Sequence, residues 1–193
     1  MQASHCHAYF RHVDTSHPYP SESLAIRLVP DPVLRRRARP VTSDDAETVR
    51  GLVPRMFASM YAAPGIGLAA PQVGVSLRLV TIDLMPDNRP APMVLVNPEI
   101  VAASEATATR EEGCLSLPGQ YADVTRPAQV RVRYTDLDGV RHDVEADGLL
   151  AVCLQHEIDH LDGVLFVDHL SPLKRNMLLR RLAKEQRQKR DGG

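Results

Sequence analysis

The chain has 193 residues, 44% of them hydrophobic and 24% charged, with a net charge of -1. This is the length of one ordinary domain with a real core and the composition of a soluble globular protein. The near-neutral total gives no reason to expect that the molecule as a whole binds nucleic acid.

Residues 1 to 22 are polar and aperiodic, with histidines at His5, His7, His12 and His17. They read as a disordered extension; the alternative is an accessory metal site at His5, Cys6 and His7. The prolines of "LAIRLVPDPVLRRRARPV" forbid a long helix there. Ser43, Asp44 and Asp45 form a helix start, and Val49, Leu52, Val53, Met56 and Met60 recur at amphipathic-helix spacing. Gly51 and Pro54 inside that run predict a kink or a late start. Glycine-rich "PGIGLAAPQVG" (64–74) ends the helix. Residues 77–84 and 93–101 read as buried strands with a turn between them. Val130, Val132 and Tyr134 alternate with polar residues, as do Val140, His142 and Val144, which predicts a hairpin turning at Asp138 and Gly139. Asp147 caps a helix through "GLLAVCLQHEIDHL", which Gly163 stops.

A last helix covers about 173–190, with Leu173, Met177, Leu178 and Leu182 as its apolar stripe. From Ser171 onward eight basic residues face two acidic ones, so the tail carries +6 and the rest of the chain -7. Such a basic face is either simply solvated or attracted to an RNA-rich surface. Strands and helices do not alternate as in a parallel sheet. The expected fold is α+β, with antiparallel strands around a central helix and a single domain over 23–193. Cys6, Cys114 and Cys153 are an odd, sparse set, not a disulfide framework, and suit a reducing compartment. No stretch is apolar for long enough to span a membrane, and the N-terminus lacks the pattern of a secretory signal. The expected location is the cytoplasm.

The chemistry concentrates in "QHEIDH" (155–160), which holds His156, Glu157 and His160. On a helix, positions i and i+4 share a face, so two imidazoles can grip one metal ion with the carboxylate beside them. Catalytic sites of this kind take a third protein ligand and leave one position open. A third histidine three residues after Gly163 would define one protease class, but that position is Phe166. Glu185 lies among arginines in the basic tail, and Asp168 and His169 would need the chain to turn back. Cys153 is two helical turns from His160, roughly 10 Å along the axis, too far for a shared ion. Cys114, in the glycine-flanked "EEGCLSLPG", is the remaining candidate; spacing alone leaves it as either a ligand or an ordinary buried cysteine.

Three segments, "GIGLAAPQ", "EGCLS" and "QHEIDHLDG", resemble in order and spacing the three motifs of the peptide deformylase family. The similarity runs from about Leu24 to Lys184. The resemblance implies a metal-dependent hydrolase that removes the N-formyl group from the N-terminal methionine of new polypeptides and releases formate. It implies Cys114, His156 and His160 as metal ligands, with Fe2+ as the physiological ion and Zn2+ or Ni2+ as substitutes. Glu157 would act as general base and then acid. The Gln72 side-chain amide and the Leu115 backbone N–H would stabilise the oxyanion.

The backbone at Gly67 would pair with the substrate chain, and Ile66, Leu149, Val152 and Cys153 would line the methionine pocket. Arg126 would pair with Asp159 in support of the site. The sequence departs from some bacterial members at Tyr121, where they carry an arginine near the substrate backbone. The implied partners are N-formylmethionyl polypeptides and, through the basic C-terminal helix, the ribosome surface. No membrane and no sequence-specific nucleic-acid binding are expected.

Overall fold

The computed structural model describes residues 22–191; the proposed extension before them, with its His5-Cys6-His7 run, lies outside the described residues. Helix α1 (Ala46–Ala62) follows a short 3-10 turn (Ser43–Asp45). The regular helix starts at Ala46, three residues after Ser43, and runs on through Gly51 and Pro54. Only the bond from position 54 back to exposed Arg50 is lost, and that carbonyl can face water. Strands β1 (Gly67–Ala69), β2 (Leu79–Ile82), β3 (Met93–Ala103), β6 (Gln129–Thr135) and β7 (Arg141–Asp147) form one five-stranded sheet in the order β1-β2-β3-β6-β7. All its pairings are antiparallel. Strands β4 (Thr107–Cys114) and β5 (Leu117–Pro127) form a separate hairpin. Helix α2 (Gly148–Leu161) crosses the sheet, and α3 (Pro172–Asp191) ends the described chain.

Side-chain alternation explains why the sheet is covered on two faces at one end. Val80, Ile82 and Leu95 point to α2, while Leu79 and Val96 point to α1. Helix α1 does not reach β6, whose Val130 and Val132 face α2 while Arg131 and Arg133 face outward. Ala151, Cys153, Leu154, Ile158 and Leu161 seat α2 on this sheet and leave its other face for the hairpin.

Four expectations change in detail. "GLA" in the glycine-rich stretch is strand β1, an edge strand paired with β2. The β6–β7 hairpin closes through residues 137–139: the Asp136 N–H donates to the Val140 carbonyl (2.9 Å) and Gly139 takes φ 81. A third loop residue thus replaces the two-residue turn. Asp147 sits at the N-cap of α2, yet its side chain makes no capping bond. On α3, Leu178, Leu179 and Leu182 pack inward, but Leu173 is 72% and Met177 63% exposed, so the apolar stripe begins one turn later than read. Gln120 donates to Glu185 (2.9 Å) and Gln186 to the Val29 carbonyl (2.9 Å), which fastens α3 to the body.

Candidate metal centre

Cys114 ends β4 and does not lie in a loop. It pairs with Leu117 across a two-residue turn, while the preceding Gly113 pairs with Tyr121. The extra residues on β5 make a bulge, with Gly119 at φ 73. A bulge re-aims a side chain, here the thiol toward α2. At Gly113 the Tyr121 ring lies 2.5 Å from where a β-carbon would stand, so a larger residue would displace that ring. Tyr121 itself is 54% exposed beside the site.

One turn of α2 brings His156 and His160 to the same place. Their ring nitrogens and the Cys114 sulfur lie within 4.8 Å of one another, the one such cluster among the described residues. The sulfur is 3.2 Å from His160 Nε2. A thiolate with two imidazoles is a donor set that suits zinc or ferrous iron. Burial pushes the Cys114 thiol up, but the adjacent His160 and His156 outweigh it and hold the group well below the usual thiol range. Burial opposes charge on His156, and its bonds to Cys114 and Glu112 nevertheless raise it well above an ordinary imidazole. Metal ligation needs the thiolate and neutral imidazoles, so loading an ion would release the proton this pair shares. Cys153 lies apart, its sulfur 3.9 Å from the Ile66 carbonyl. Phe166 stacks on His156 at 6.3 Å, Asp168 pairs with Arg35, and Glu185 bonds Gln120 and Arg181, so none of them serves as a third ligand.

Glu157 lies between the two histidines in sequence and is buried. Burial pushes its carboxyl up, against the pull of His156 and His160. It rests on β1: a β-carbon on Gly67 would stand 2.5 Å from Glu157 Oε1 and 2.9 Å from Cys153 Sγ. Glycine at 67 therefore makes room for the carboxylate as well as leaving the strand edge open. Gln72 sits in a 3-10 turn (Ala70–Val73), fully buried. Its Oε1 accepts from the Ala69 N–H (2.8 Å), which fixes Nε2 toward Ser116 Oγ (3.3 Å) and Cys114 Sγ (3.6 Å). One extended segment ties both loops together: the Arg27 N–H donates to the Gln72 carbonyl (2.7 Å) and the Val29 N–H to the Ser116 carbonyl (3.0 Å). Leu115, in the hairpin turn, packs its side chain over Gly65. Ile66 and Val152 are half-buried, Cys153 is buried, and Leu149 is exposed.

Arg126 donates to Asp159 (2.8 Å), the pair anticipated from sequence. It also makes a two-pronged contact with Glu112, through Nε (2.6 Å) and Nη2 (3.1 Å). Glu112 Oε2 in turn accepts from His156 Nδ1 (2.9 Å). Sequence reasoning missed Glu112. Its signal was its place two residues before Cys114 on what proves to be a strand, but "EEG" offered two acids and no apolar alternation to mark the strand.

An α+β domain with a Cys-His-His cluster and a buried glutamate beside it defines a metallohydrolase of the His-Glu-x-x-His kind. The model of the polypeptide deformylase family matches residues 23–176. Curated peptide deformylases from Mesorhizobium japonicum and Agrobacterium fabrum are 54% and 52% identical, over 86% and 84% of this chain and 94% and 95% of theirs. A solved peptide deformylase from Legionella pneumophila superposes with a TM-score of 0.80 at 49% identity, covering 86% of this chain and 97% of its own. One from Synechococcus elongatus, in complex with actinonin, gives 0.78 at 45%, covering 84% and 89%. The chain belongs to the polypeptide deformylase family. It is a metal-dependent hydrolase that removes the N-formyl group from newly made polypeptides.

Proposed function

We propose that residues 23–193 form one catalytic unit in which Cys114, His156 and His160 hold a single ion, Fe2+ in the cell, with Zn2+ or Ni2+ able to replace it. The observation that carries this reading is the convergence of the three ligand atoms within 4.8 Å, with Glu157 buried alongside. A bound divalent ion supplies Lewis acidity and lowers the pKa of water toward roughly 7, so a nucleophile exists at neutral pH. Glu157 would take a proton from the attacking water and return it to the leaving amine as the C–N bond breaks, giving formate and a free N-terminus. Gln72 Nε2 and the Leu115 N–H donate to the oxygen that gains negative charge. The orientation of the Gln72 amide, set by Ala69, supports this role.

The substrate chain adds to the free edge of β1 at Gly67, as an extended peptide adds to a sheet. Its methionine side chain enters between Ile66, Val152 and Cys153, with Leu149 at the rim. Formate release from a formyl-methionyl peptide, run beside its acetylated twin, tests the specificity. Rapid hydrolysis of the first and none of the second is expected. Internal peptide cleavage would overturn it in favour of a metallopeptidase.

We assign the enzyme to the cytoplasm, working beside the ribosome. The exposed Arg180, Lys184 and Arg187 on α3 support attraction to ribosomal RNA. Because Leu182 is buried, charge reversal is a cleaner test than truncation. Arg180→Glu, Lys184→Glu and Arg187→Glu combined should weaken ribosome binding at low salt and leave hydrolysis of a free peptide unchanged. Equal ribosome affinity would remove the role of α3.

A further inference from the structure

We propose that His169 is a positioning residue for the metal ligand His156, acting through Asp159, Arg126 and Glu112; the proposal rests on the metal reading above. His169 closes a 3-10 turn (Phe166–His169) just beyond α2, and its Nε2 lies 2.8 Å from Asp159 Oδ2. A carboxylate oxygen only accepts, so Nε2 must carry the proton and donate. The 3.4 Å approach of Arg126 Nη1 to that same nitrogen is then a packing contact, not a second hydrogen bond.

Asp159 Oδ2 thus receives two donors, His169 and Arg126. Arg126, held at that end, spans to both oxygens of Glu112. Glu112 Oε2 accepts the Nδ1 proton of His156, which leaves Nε2 of that ring as the free donor atom for an ion. The series runs from the surface inward: side-chain exposure is 34% at His169, 24% at Asp159, 4% at Arg126 and 3% at Glu112. His169 is its outermost member and shields the Asp159 oxygen that anchors the rest. His160 offers no parallel support, since its Nδ1 is buried without a partner. The series therefore acts on His156 alone.

The test uses the full-length enzyme loaded with cobalt(II), comparing wild type with His169→Ala and His169→Gln. The readouts are the visible absorption spectrum, the rate of cobalt loss to a chelator, and kcat and KM on a formyl-methionyl peptide. Partners of metal-binding histidines affect affinity by about 10–100-fold, and His169 acts at one remove, so His169→Ala should release cobalt about tenfold faster. Its spectrum should shift and kcat should fall at unchanged KM. The glutamine side-chain N–H can reach the same oxygen, so His169→Gln should return all three readouts toward wild type. Cobalt loss at the wild-type rate in His169→Ala, or identical behaviour of Ala and Gln, would overturn the proposal. Failure of the wild type itself to bind one cobalt, with no change on Cys114→Ala, would overturn the metal reading instead.

Discussion

Helix α2 and the β4–β5 hairpin meet at the Cys114, His156 and His160 cluster but are held in place by different forces. Apolar side chains from Ala151 to Leu161 seat α2 on the sheet. Of its apolar residues the hairpin buries only Leu117 and Val124 fully, against Phe166, Val167 and Leu182, and sets charged groups beside them. Its inner face carries the buried pair Glu112 and Arg126, and on its exposed face Thr109 and Thr125 share a hydroxyl bond (2.8 Å). Hydrophobic burial is non-directional and indifferent to pH; a buried ion pair is directional and depends on its charges. Histidines thus come from the robust element, and the thiolate and the support of His156 from the conditional one.

The contrast breaks first at Arg126. Arg126→Ala removes the cation shared by Glu112 and Asp159, leaving them only their bonds to His156 and His169, and should cost about 3–5 kcal/mol in chemical unfolding, with weaker metal retention. Burial raises both partners, yet bonds from His156 and Arg126 keep Glu112, and bonds from His169 and Arg126 keep Asp159, below the ordinary carboxylate range. Their contribution is complete above the ordinary carboxylate values near 4 and is lost as pH falls through the lower folded values. The penalty of Arg126→Ala should therefore shrink in strong acid; a penalty flat with pH would show that the hairpin is held by packing.

On the other side, Leu154→Ala opens a cavity under α2 and should cost about 2–5 kcal/mol with no such pH dependence. Gln72→Ala leaves the buried Ala69 N–H without its acceptor, so it should cost about 1–3 kcal/mol of stability and lower kcat by about 10²–10³-fold if Gln72 is the proposed oxyanion donor. Smallest is Thr109→Ala, an exposed cross-strand pair, which should cost about 0.2–1 kcal/mol.

The same contrast decided what the sequence could disclose. Period-two and helical apolar patterns marked β2, β3, β6, β7 and α2, because those elements bury one face or two. The hairpin left no such trace: "TATREEGC" is polar, and Cys114 read as a loop residue between glycines. Its assignment rested on the resemblance of three motifs. Arg126 and Asp159 were legible as a pair, while Glu112, which joins them to His156, emerged only when β4 and β5 were brought into register. Leu173 and Met177 fit the helical period yet stay exposed, since the apolar packing of α3 on the body begins only at Leu178.

The central claim is that Glu157 moves the proton and the Cys114, His156 and His160 set holds the ion. Glu157→Ala, measured for metal content and formate release on the same sample, tests both at once. The expected result is one metal per chain as in the wild type, with turnover reduced by about 10²–10⁴-fold or more. Wild-type turnover in that variant would contradict the role given to Glu157, and loss of the metal with it would make the carboxylate part of the ion's support.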